Sequence, residues 1–89
     1  MRVKELYFSA EVEEKVWKKH HLTPLEVEYV VINKTVHAKF ERDSQHGYRA
    51  RVETYNSNGN VLVVWLKPIN LDKGSWSVIT TYLQERYSK

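Results

Sequence analysis

Two arginines spaced two residues apart, Arg49 and Arg51, stand in the alternating run from Tyr48 to Tyr55. On an extended strand that spacing sends both side chains to one side, roughly 7 Å apart. Guanidinium forks match the oxygens of a phosphate, so the pair is a candidate phosphate clamp. The same residues also suit an edge strand whose charges pair with Glu53 or Glu41 and block aggregation. His20 follows Lys19 at the end of a helical stretch. Imidazole is the side chain that exchanges protons near neutrality, although in the last turn of a helix it also complements the dipole. Tyr82 offers a phenol that can donate a proton or stack on a base. Lys19 and Lys67 add cations. Trp76, beside Ser75, is the tryptophan expected at the surface, where it could stack on a base. Trp17 and Trp65 are expected in the core.

Other chemistries lack their residues. Without cysteine there is no disulfide, thiolate nucleophile or thiolate metal site. His20, His21, His37 and His46 suggest zinc only by count. Adjacent histidines diverge on a helix, and no acidic cluster stands at ligand spacing, so neither a metal nor another cofactor is expected. No glycine-rich phosphate loop, nucleophile elbow or paired-carboxylate motif occurs.

The 89 residues make one domain, spanning 1–89. That length is near the lower limit for burying a core without staples, and the three tryptophans, six tyrosines and two phenylalanines offset it. Residues 1–33 carry five basic and six acidic groups, whereas residues 34–89 carry nine and five. The positive excess in the second part suits a polyanion such as RNA, although many unrelated small proteins are as basic. The start of the chain has no long apolar run, and Val61–Leu66 is too short to cross a bilayer. A cytoplasmic protein without membrane contact is expected.

Periodicity places these residues on elements. Val3 to Phe8 reads as a strand. Ser9 can cap a helix in which Val12, Val16, Trp17 and His20 recur on one face. Thr23, Pro24 and Glu26 form a capping box with proline at the first position, Leu22 and Val27 fit a hydrophobic staple, and Asn33 can end this second helix in a left-handed conformation. From Thr35 the period becomes two. Strands are expected over Val36–Phe40, Tyr48–Tyr55, Asn60–Lys67 and Trp76–Thr81. A loop is expected over Glu41–Gly47, and Pro68 is expected to stop its strand. One or two helical turns are expected over Tyr82–Tyr87. The fold class is therefore α+β, with two N-terminal helices on a mostly antiparallel sheet of four to five strands and a short C-terminal helix.

Asn58-Gly59 is the dipeptide of a type I′ hairpin. A two- or four-residue connection would place Arg49, Arg51, Glu53 and Tyr55 on one face with Leu62, Val64 and Leu66. Ala50, Val52 and Thr54 would then face the helices with Val61, Val63, Trp65 and Lys67. A three-residue loop would break this assignment.

Taken in order, these stretches resemble the BrnT-type branch of the RelE-like bacterial toxins. Lys19-His20 is similar to a Lys-His pair ending the first helix, and Leu22-Thr23-Pro24-Leu25-Glu26-Val27 to the opening of the second. Asn58 to Trp65 resembles the family hairpin, Trp76 to Tyr82 the terminal strand, and Glu85-Arg86-Tyr87 the tail. The resemblance covers roughly residues 5 to 88. It implies a RelE-like fold and metal-independent cleavage of RNA. It also implies neutralisation by a cognate antitoxin in a type II toxin-antitoxin system, with a possible homo-oligomer besides. His20, Arg49, Arg51 and Tyr82 would then be catalytic, and Lys19, Lys67 and Trp76 would bind RNA. Two positions depart from the family pattern. His21 stands where a glycine is usual, and Tyr82 where the terminal strand carries an arginine. The second departure leaves room for a different class of protein, a RelE-like module that binds RNA or protein without cleaving.

Overall fold

A computed structural model describes residues 3–33, 37–44, 47–56 and 58–84. β1 (Glu5–Tyr7) leads into α1 (Ala10–His20) and α2 (Pro24–Asn33), followed by β2 (His37–Asp43), β3 (Gly47–Tyr55), β4 (Val61–Asn70) and β5 (Ser75–Gln84). The five strands form one mixed sheet in the order β1-β5-β4-β3-β2, with β1 parallel to β5 and the other neighbours antiparallel. The architecture is α+β, two helices against a five-stranded sheet. Among the described residues no helix is long and apolar enough to cross a membrane.

Local chemistry sets the helix ends. The Ser9 hydroxyl accepts from Val12 N–H at the start of α1, and Glu11 and Glu13 occupy its first turn, where the dipole favours acid. At the other end His21 closes α1 in the left-handed region (φ 54°, ψ 34°) and donates its N–H to the Trp17 carbonyl. That conformation costs a residue with a Cβ about 1 kcal/mol, while the His21 ring gains an edge-on contact with Trp17 at 5.4 Å. Comparing two variants separates these terms. Both His21→Ala and His21→Gly lose the ring, but only glycine relieves the strain, so His21→Gly is expected to be about 1 kcal/mol more stable than His21→Ala in urea unfolding.

Thr23 Oγ1 accepts from Glu26 N–H to open α2, and Leu22 and Val27 are both buried, as a staple requires. Asn33 does not leave the helix as expected. It is the last helical residue and donates its side-chain amide to the Tyr29 carbonyl, and His21 is the single non-glycine residue with positive φ among those described.

The core lies between the helices and one sheet face. Val16, Leu22, Val27, Val30 and Val31 pack against Leu6, Ala50, Val52, Leu62, Val64, Leu66, Trp76 and Val78. Each large side chain buried in this way contributes roughly 1.5–3 kcal/mol. Trp17, expected in the core, is about half exposed, and Val16 takes the inward position. Trp76, expected at the surface, is buried. It stands in register with Leu6 on β1 and Pro68 on β4, so the parallel pairing of β1 seals it on the helix side.

Strand boundaries move in several places, and β1 is shorter than the expected Val3–Phe8. β2 runs on to Asp43, into the expected loop. β4 continues past Pro68 to Asn70. The described β3–β4 pairing ends at Ala50↔Leu66, so Pro68 needs no N–H towards β3, and its pairing with β5 carries register shifts on either side. β5 extends through Gln84, so Tyr82 to Gln84 are strand and not helix. The rest of the expected C-terminal helix, from residue 85, lies outside the described residues.

The hairpin between β3 and β4 sets every face. Asn56 donates its N–H to the Asn60 carbonyl, Gly59 N–H reaches the Asn56 carbonyl, and Gly59 has φ 80°. The Asn56 carboxamide oxygen accepts from both Asn58 and Asn60 N–H. Three residues therefore separate the paired asparagines, with Gly59 in the left-handed position of a three-residue connection. Arg51 pairs with Trp65, Glu53 with Val63 and Tyr55 with Val61, while Ala50, Val52 and Thr54 pair with Leu66, Val64 and Leu62. The expected faces of β4 are exchanged, because a one-residue change in connection length moves every side chain of one strand to the other side.

Candidate functional site

The exchange gives the sheet face turned away from the helices an aromatic floor. Trp65, half-buried, lies beneath both arginines: Arg49 Cζ is 4.8 Å and Arg51 Cζ 6.0 Å from its ring centroid. Such stacking over a tryptophan face contributes about 0.5–1 kcal/mol at exposed sites, and it holds the two guanidiniums side by side. Each arginine also meets a carboxylate. Arg49 lies 3.4 Å from Glu41 on β2, and Arg51 makes a short contact with Glu53 on its own strand. Glu53 is the principal group keeping the Arg51 guanidinium more firmly charged than usual, with smaller contributions from Tyr82. Arg49 Nε is buried without a hydrogen-bond partner.

Val63 explains how Tyr82 joins them. It lies outside the helix-side core cluster yet is fully buried, in register with Glu53 on one side and Tyr82 on the other. The side chains of Arg51, Glu53 and Tyr82 thus meet above the centre of the sheet. β1 covers β5 only over Ser75–Ser77. Further along, β5 is the principal sheet contact of α1, and the His20 ring at the end of that helix comes within 6.2 Å of the Tyr82 ring. His20 is exposed, so its imidazole is open to solvent.

The four residues expected to be catalytic therefore come together: His20 beside Tyr82, Tyr82 beside Arg51, and Arg51 and Arg49 over Trp65. Of the three expected to contact RNA, Lys19 is exposed next to His20 in the chain, and Lys67 is exposed two residues beyond Trp65. Trp76 does not join them, because it is sealed in the core on the opposite side. His37 lies on β2 in register with Glu53, and with Lys39, Arg51 and Glu53 it lines a shallow depression. His46 lies outside the described residues.

Sequence reasoning missed Trp65 as part of this face and Lys39 as a cation directly opposite Arg51. Asn56 and Gly59 carried the signal for the first. An asparagine able to bond two backbone amides, followed three residues later by glycine, also fits a three-residue turn.

A second polar group lies at the far end of the same face. Glu5 accepts from the Tyr7 hydroxyl at 2.9 Å and from the Ser75 hydroxyl at 3.1 Å. The Tyr7 and then the Ser75 hydrogen bonds hold the Glu5 carboxyl below its ordinary range, and the Tyr7 phenol is raised in turn by Glu5. These contacts join β1 to β5 and so position the strand that covers Trp76. Comparison with protein-family models, curated proteins and solved structures finds no match to this chain.

Proposed function

We propose that this chain is a RelE-like, BrnT-type toxin that acts on RNA through the face carrying Arg49, Arg51, Tyr82 and His20. The observation that carries the reading is a chain of neighbours, two guanidiniums over Trp65, a phenol beside Arg51 and an imidazole beside that phenol, although they come from β3, β5 and α1. In metal-independent cleavage, His20 accepts the proton of a ribose 2′-hydroxyl and that oxygen attacks the adjacent phosphorus. The 5′-oxygen leaves with a proton from the Tyr82 hydroxyl. The products are a 2′,3′-cyclic phosphate and a 5′-hydroxyl. Arg49 and Arg51 balance the charge that grows on the phosphoryl oxygens, and Trp65 fixes their planes.

The two carboxylates do not block the clamp. Partly exposed ion pairs are worth about 0–1 kcal/mol, so a phosphodiester can displace Glu41 and Glu53. In the cell an antitoxin of acidic or helical character would cover the same face, and expression without it would arrest growth.

The test is incubation of the purified protein with single-stranded RNA, following both retention and cleavage. The Arg49→Gln/Arg51→Gln double variant is expected to bind more weakly and to show a salt dependence shallower by about 1.4 in log–log slope, as for two lost phosphate contacts. Binding and slope equal to the unmodified protein would remove the arginines from the interface. The pairing of both arginines with glutamates favours a second reading, a module that binds RNA or protein without cleavage. Retention of RNA with no cyclic phosphate product would select it.

A further inference from the structure

β2 is an edge of the sheet, paired to β3 on one side and, among the described residues, with no strand on the other. Edge strands offer unpaired N–H and C=O groups and are a standing hazard. This one reads His-Ala-Lys-Phe-Glu-Arg-Asp over residues 37 to 43. We infer that β2 pairs antiparallel with β2 of a second copy of this chain, about a two-fold axis at Phe40, to make a continuous ten-stranded sheet.

Charge complementarity selects both occupant and register. Centred on Phe40, the pairing sets Lys39 opposite Glu41 of the second copy, twice by symmetry, and Ala38 opposite Arg42. Centred on Lys39 or on Glu41 it would oppose like charges, which is unfavourable for directly facing residues. Lys39 also needs such a partner. It is exposed, has no acidic neighbour in contact among the described residues, and lies directly opposite Arg51 on β3. In the dimer it sits between Arg51 and Glu41 of the second copy. Glu41 in turn lies between Arg49 and Lys39 of that copy, so the charges alternate better across the junction than at either free edge.

The other side of the strand agrees. Phe40 and Tyr48 stack at 5.4 Å with a 16° angle between rings, yet both remain more than one-third exposed. The axis brings the two Phe40 rings face to face, each backed by Tyr48, and covers this aromatic surface. Since the axis is perpendicular to the sheet, both arginine-bearing faces open to the same side. Dimerisation does not depend on the RNA reading, but within that reading it doubles the basic surface along one polyanion.

Sedimentation of the full chain over a concentration series tests the inference. A single strand-to-strand contact is at the small end of interfaces, so dimer formation is expected at roughly 10–100 µM. Lys39→Glu and Glu41→Lys each place like charges opposite one another at two points of the dimer and should each weaken it roughly tenfold or more. An equimolar mixture of the two variants restores both oppositions and should recover the dimer. Circular dichroism checks that each variant is folded. Protein that stays monomeric to about 500 µM overturns the inference and leaves the edge to a strand of another protein. A dimer indifferent to both single variants overturns it as well, because the contact would lie elsewhere.

Discussion

Tyr82→Phe should lower RNA cleavage by roughly 100- to 10,000-fold while leaving RNA binding within about threefold, because a positioned proton donor contributes in that range and phenylalanine keeps the ring. His20→Ala is expected to produce a loss in the same range. In the proposed reaction the two side chains act at opposite ends of one displacement, and their rings lie 6.2 Å apart. The measurement is a single-turnover rate on end-labelled RNA beside an anisotropy titration of the same variants. Groups that act as a unit are strongly non-additive, so the double variant should cut little more slowly than the worse single one. Unchanged rates in both single variants would remove proton transfer from these residues. The Arg51 guanidinium would then stand beside a tyrosine that only packs over Val63.

Trp76→Ala should destabilise the domain by about 3–5 kcal/mol, the usual range for removing a large buried aromatic side chain. A chain of this size has a total stability on the order of 5–10 kcal/mol, so the variant would be near its unfolding midpoint under mild conditions. Trp65→Ala should do the reverse. It costs less stability, since Trp65 is only half-buried, but it removes the surface on which both arginines stack and should weaken RNA binding. Urea unfolding and RNA titration of the pair read out the contrast. Equal stability losses would mean that the two sheet faces are not divided as the β3–β4 register divides them.

The contrast between these tryptophans shows what was legible in the chain. Helix caps are local, and Ser9, Thr23 and Pro24 do in the structure what their chemistry implies. The period-two runs after Thr35 become strands, and His20, Tyr82, Arg51 and Arg49 follow one another across neighbouring elements. Trp76 was misplaced because its burial comes from β1, some seventy residues away in sequence and parallel to it. Trp17 was misplaced because Val16, its neighbour on the same helix, competes for one inward position.

The sequence by itself determined the two helices, the five strands, their order and the residue types available for chemistry, because capping, turn formation and alternation act over a few residues. Only the tertiary structure decided which β4 residues lie under the arginines, that Tyr82 is on a strand, and that His20 reaches it. Those outcomes depend on the length of one connection and on a crossover pairing of the first strand with the last. A pattern with a period of two fixes which residues share a face within a strand. It carries no information about which face of the neighbouring strand they meet.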